Sequence, residues 1–134
     1  MKKIFPVIAL VAAFSSVVSC SKLKGPDASE VAAQVCKTYY DSLIAGNVKF
    51  YIEGSNLPDS IPDGYREELE TNMKMFLGQM EKEHGGLKAV RISDAHADTA
   101  KHTAQVFLVQ IYGDSTREEV VVPMVLKNGN WYLK

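Results

Sequence analysis

The sequence predicts an α+β domain in which two N-terminal helices pack on a curved four-stranded antiparallel sheet. Two observations carry this. Apolar residues recur at three- and four-residue steps as far as His84, and after Gly86 the period drops to two. The connections between the strand candidates are short enough for hairpins, so the strands form a meander and the helices lie on one of its faces.

The first helix starts at Asp27, with Glu30 at the spacing of a reciprocal N-cap. Ala28, Val31, Ala32, Val35, Tyr39 and Leu43 supply its apolar face, and Gly46-Asn47 ends it. Val48 to Ile52 reads as a further helical turn, and Gly54 to Pro58 as loop. Ser60-Ile61-Pro62-Asp63 opens the second helix, whose buried face is Tyr65, Leu69, Met73, Phe76, Leu77 and Met80. Gly85-Gly86 stops it, with His84 placed favourably at its C-terminus when protonated.

Lys88 to Asp94 is the first strand. Thr103 to Tyr112 is the second, with Phe107, Val109 and Ile111 on one face and Ala104, Val106 and Leu108 on the other. Glu118 to Leu126 is the third and Trp131 to Lys134 the last, joined through Asn128-Gly129, a strong hairpin signal.

Ahead of this domain, Met1-Lys2-Lys3 is positive and Ile4 to Val18 is an almost unbroken apolar run that leads through Ser19 to Cys20. Charge, hydrophobe and then small residues is the order of a secretory signal peptide. The run falls short of the ~20 residues of a spanning helix, and Pro6 interrupts it. The chain therefore divides into a signal segment (1–19), a short tether (20–26) and one domain (27–134). Removing residues 1–19 takes two of the 15 basic side chains, which leaves 13 against 16 acidic ones, a net charge of -3. With Lys and Arg scattered, no nucleic-acid partner is expected.

Val17-Val18-Ser19-Cys20-Ser21 resembles a bacterial lipobox. That resemblance implies a diacylglyceryl group on Cys20, which becomes the new N-terminus. The alternative is an ordinary signal peptide cleaved near Ser19. Two chains anchor stably where one would not, each buried methylene contributing ~0.8 kcal/mol. Cys36 would then be the remaining thiol, with no disulfide to form; its apolar helical setting reads as a buried small hydrophobe.

Three further stretches carry a family likeness. They are Tyr39-Tyr40-Asp41-Ser42-Leu43-Ile44-Ala45-Gly46-Asn47, then Glu83-His84-Gly85-Gly86-Leu87-Lys88-Ala89-Val90, and the closing Glu118 to Leu126 with Asn128-Gly129-Asn130-Trp131-Tyr132-Leu133. Together they resemble domain of unknown function 4878, small envelope lipoproteins related to the lumazine-binding-like group with the cystatin-like, nuclear-transport-factor-2-like fold. Tyr132 departs from the pattern, where a lysine or another polar residue is common. The resemblance implies a curved sheet wrapping a long helix into a cone able to hold an apolar pocket. It brings no chemistry with it.

Asp94, His96, Asp98 and His102 lie close together, with 94, 96 and 98 on one strand face. A lone His-x-Asp pair falls short of the three or four converging ligands of a zinc site, so no metal or other cofactor is expected. Nucleophile-elbow, phosphate-loop, paired-cysteine and calcium-loop spacings are absent from the sequence. Tyr39, Phe76, Phe107 and Trp131 come from different elements and could line one interior, either as packed core or as the wall of a small apolar ligand pocket.

The expected function is a lipid-anchored protein of a Gram-negative envelope whose non-catalytic domain binds a small apolar ligand or an envelope protein. A second copy docked through the open sheet face is a further expected partner. Ser21-Lys22-Leu23-Lys24 lacks an acidic run, which points to the periplasmic side. The alternative is a small isomerase- or dehydratase-like enzyme that would use the cone pocket.

Overall fold

The computed structural model describes residues 27–134; the signal segment, Cys20 and the tether lie outside the described residues. Three helices, α1 (Ala28–Ile44), α2 (Val48–Glu53) and α3 (Tyr65–His84), precede strands β1 (Leu87–Asp98), β2 (Thr103–Tyr112), β3 (Arg117–Lys127) and β4 (Asn130–Leu133). The strands form one antiparallel sheet in the order β1-β2-β3-β4. No helix among the described residues is long and apolar enough to cross a membrane.

In α1 the buried line is Ala32, Ala33, Cys36 and Leu43, while Val31 is 37% exposed. The face is therefore turned away from the Val31 side that periodicity favours. Three small residues let the α1 backbone settle close against Val90, Val106 and Leu108 of the sheet, where a branched side chain would hold it off. Asp27 does occupy the N-cap with extended backbone, but its side chain makes no capping hydrogen bond, so the expected reciprocal cap with Glu30 is not formed. Glu30 still sits in the first turn, where the helix dipole favours a negative charge.

The predicted turn at 48–52 is a two-turn helix, α2, capped by the Asn47 side chain, which accepts from Phe50 N at 3.2 Å. Helix α3 begins later than the Ser60–Asp63 motif suggests. Pro62 O accepts from Tyr65 N at 3.2 Å, and Gly64 takes the left-handed conformation (φ 83°) that turns the chain into the helix. No α3 residue is fully buried, and Tyr65 (38%) and Phe76 (42%) are exposed, contrary to the face expected of them. The reason is placement. Leu69, Met73 and Leu77 rest on Leu43, Val48 and Ile52 of the other two helices, so α3 lies chiefly against α2 and only touches the start of the sheet.

The other end of α3 is held tightly. Gly85 and Gly86 both have positive φ, Gly113 N donates to Gly86 O at 2.8 Å, and Asp114 N donates to His84 O at 2.8 Å. A β-carbon on Gly113 would collide with the Gly85 carbonyl oxygen, so glycine is required there.

Strand β1 runs past its expected end at Asp94 because Ala95 and Ala97 keep the inward alternation going. Register breaks at Leu87/Ala89 and Ile92/Asp94 are bulges that bend the strand and curve the sheet. On its outer edge the Ala95 N–H donates to Asp94 Oδ1 (2.8 Å) and the Ala97 N–H to Ser29 Oγ (2.9 Å). In β2 the helix-facing residues are Ala104, Val106, Leu108, Gln110 and Tyr112. Val106, Leu108, Met124 and Cys36 are the largest fully buried side chains. Burial of a full-sized aliphatic side chain contributes roughly 1.5–3 kcal/mol. The β3–β4 turn follows the sequence signal: Asn128 (φ 53°) and Gly129 (φ 80°) are both left-handed, as a type I′ hairpin requires.

Candidate functional site

The inward residues of β2 change character along the strand: after Ala104, Val106 and Leu108 come Gln110 and Tyr112. Gln110 is only 8% exposed, the one buried polar residue among those described. It faces a cavity of about 180 Å³ bounded by Tyr40 and Leu43 of α1, Tyr51 of α2, Met73 and Phe76 of α3, and Leu87 at the start of β1. Every layer of the fold contributes a wall. Phe76, half out in solvent, forms the rim.

The polar groups of this cavity are neutral. The Tyr112 hydroxyl stands between Gln110 Oε1 (2.9 Å) and the Glu118 carboxylate (Oε1, 3.0 Å), two acceptors for its one proton. Burial, and then the Glu118 carboxylate, push the Tyr112 phenol above its ordinary range. The rings of Tyr40 and Tyr51 meet edge to face, with centroids 5.5 Å apart. Burial raises both phenols above the ordinary tyrosine value; for Tyr40 the proximity of Tyr51 and then of Cys36 adds to it. Both therefore stay protonated across physiological pH.

The four aromatic residues singled out by sequence do not share one interior. Tyr39 and Trp131 do meet: Trp131 is 5% exposed, and the Tyr39 hydroxyl donates to Trp131 O at 3.4 Å. They belong to the packed core, with Tyr39 also against Phe50 (centroids 5.4 Å). Phe76 lines the cavity. Phe107 points to the opposite face of the sheet, where it stands edge-on to His96 (centroids 6.0 Å), because β2 alternates and its even-numbered residues take the inner face. Tyr40, Tyr51 and Gln110, which do line the cavity, lie outside that set. A polar residue at an inward position of β2 was the available signal.

Asp94 and His96 form an exposed pair (Oδ2 to Nε2, 3.0 Å). Among the described residues no three His, Cys, Asp or Glu side chains converge as a metal site would need. Two of several larger depressions lie as follows. One, about 600 Å³, is an open apolar groove between Val31 and Val35 of α1 and Ile92 and Ala95 of β1. The other, about 310 Å³, is polar and crossed by the pairs Arg66–Glu53 (3.2 Å) and Lys127–Asp59 (3.7 Å). Neither brings a buried polar side chain to an apolar wall, which is the combination that orients a small ligand.

No protein-family model matches the chain, and no curated protein matches it. Among solved structures it is similar to a Campylobacter jejuni protein described as an NTF2-like transpeptidase, solved at 2.00 Å. The TM-score is 0.59 at 13% identity, over 75% of this chain and 94% of that one. At that identity the likeness shows the fold: helices on a four-stranded antiparallel sheet, in the NTF2-like arrangement.

Proposed function

We propose that this chain is a lipid-anchored protein of a bacterial envelope, akin to the domain of unknown function 4878 lipoproteins, whose domain binds a small apolar ligand without transforming it. The anchor is the diacylglyceryl group on Cys20, the domain faces the periplasm, and the ligand enters beneath α3. The observation that carries the binding reading is the cavity's lining. Apolar side chains surround one buried amide and two protonated phenols, with no ionised group among them.

Two catalytic readings find less support. An isomerase or dehydratase needs a base beside the reacting carbon, and the cavity wall offers phenols and an amide in that place. A transpeptidase, the description given to the Campylobacter jejuni protein, would need an activated nucleophile. Cys36 is fully buried, and burial pushes its thiol up to about 12.

The anchor is tested by Cys20→Ser in a bacterial host fed a labelled fatty acid. The expected result is loss of label and release of the domain from the membrane fraction. Label retained by that variant sinks the anchor. The binding reading is tested by native mass spectrometry of the protein purified from its membrane, which should carry an uncharged adduct that Phe76→Asp removes.

A further inference from the structure

We infer that the open groove between α1 and β1 is the seat of the chain's own tether, with Leu23 on its apolar floor and Lys22 and Lys24 on its acidic rim. This goes beyond the binding reading above and depends neither on the inner cavity nor on lipid at Cys20.

The groove, about 600 Å³, is floored by Val31 and Val35 of α1 and by Ile92 and Ala95 of β1. Val31, turned away from the packed line of Ala32, Ala33 and Cys36, is 37% exposed there. Every charged residue of the lining is acidic: Asp27, Glu30 and Asp94. Asp94 shares its carboxylate with exposed His96 (3.0 Å), and among the described residues no cation pairs with Asp27 or Glu30. An apolar floor inside an acidic rim suits an aliphatic side chain flanked by two cations.

Ser21-Lys22-Leu23-Lys24-Gly25-Pro26 has that pattern, and it joins the domain at Asp27, itself a lining residue. The reach fits. Leu23 is four residues from Asp27, a span of up to about 14 Å when extended. Val31 and Val35 lie about 6 and 12 Å along the α1 axis from that same point. Running back along α1 into the groove takes one reversal, and Gly25 is the residue free to make it. The Ala95 and Ala97 amides are engaged by Asp94 and Ser29, so the segment docks by its side chains and not as an added strand. The consequence is directional. Cys20, three residues before Leu23, is held within about 10 Å of the groove, so a lipid on it would turn the α1–β1 side of the domain toward the membrane.

The test replaces Leu23 with photoreactive p-benzoylphenylalanine in the full-length chain, irradiates it in cells of a bacterial host and maps the adducts by peptide mass spectrometry. Adducts should concentrate on the same chain, on the α1 segment around Val31 and Val35 and the β1 segment around Ile92. Lys22→Glu together with Lys24→Glu, both ahead of residues 27–134, should lower their yield severalfold, since two attractive surface pairs become repulsive. Val35→Asp should lower it as well. A yield indifferent to the lysine reversal overturns the proposal. Adducts on a second chain do the same and would seat a neighbouring copy's tether in the groove. Adducts chiefly on lipid, or none on the groove, also overturn it. None of these outcomes bears on the cavity beneath α3.

Discussion

Gly54 lies directly against the ring of Tyr39: a β-carbon at position 54 would stand 2.5 Å from Cδ1 and Cε1 of that ring. The backbone there is ordinary (φ -76°, ψ -7°), so the requirement for glycine is one of space alone. The same residue accepts from Leu133 N at 2.7 Å, which ties the end of α2 to β4. Gly54→Ala is expected to destabilise the domain by about 1–3 kcal/mol, the usual cost of overpacking a filled site. In a Tyr39→Ala background the same change should cost much less. Urea unfolding of the four proteins in that cycle measures the coupling, and additive effects would refute the argument.

Cys36 makes stability sensitive to alkali. Burial raises its thiol from the ordinary 9.0 to about 12, so between those values the unfolded chain loses a proton that the folded chain keeps. The contribution is full below the ordinary value and is lost as pH climbs toward about 12, at a limiting slope of about 1.4 kcal/mol per pH unit. Tyr40 and Tyr51, also raised by burial, steepen the fall above the ordinary tyrosine value. Cys36→Ala should flatten the curve in the lower part of this window. Denaturant titrations across it decide the matter, equal slopes for the two proteins counting against the account.

The acid limb has a different origin. Asp114 accepts from the Thr116 hydroxyl and from Thr116 N (3.0 Å), and His84 Nδ1 lies 3.1 Å from its other oxygen. These hydrogen bonds, those from Thr116 first, lower its carboxyl from 3.8 to about 2. A depressed acid contributes stability above its ordinary pKa and loses it as pH falls through the folded value. Carboxyl NMR titration should place Asp114 below the other aspartates, and Thr116→Val should move it back up. An unshifted titration in that variant would assign the effect to His84 instead.

Helix α3 is firmly held at its C-terminal end and loosely along its length, so its side chains should react first. Met75 is 68% exposed, whereas Met124 is fully buried. Mild peroxide should convert Met75 to the sulfoxide well before Met124, with little change in unfolding midpoint. Peptide mass spectrometry reads the order, and early oxidation of Met124 would contradict the packing described. Amide exchange should likewise be faster in the middle of α3 than in β2.

The architecture was legible where local chemistry decides it. The change of period at Gly86 announced the sheet, and Asn128-Gly129 fixed its last hairpin, because left-handed backbone suits few other residues. Helix faces were less legible. Val31 is the larger apolar residue, yet Ala32, Ala33 and Cys36 face the sheet, since closeness of approach outweighs apolar area at that crossing. The cap motif at Ser60–Asp63 lost to Gly64, a choice made by where α3 must land on α1 and α2. The site was read poorly for a related reason. An aromatic residue is apolar on either face of a strand, so Phe107 could be placed only once the parity of β2 was known. Gln110 carries its meaning through that same parity.

The outer margin of β1 has a bearing on how many copies can share a surface. Its Ala95 and Ala97 amides are already engaged by Asp94 and Ser29, and the bulge beside them breaks the line of the ladder. A strand from a neighbouring molecule finds few vacant donors there on which to extend the sheet. Copies held at high density would thus resist polymerising end to end along this margin. Ser29→Ala, which frees one amide, would weaken that protection first.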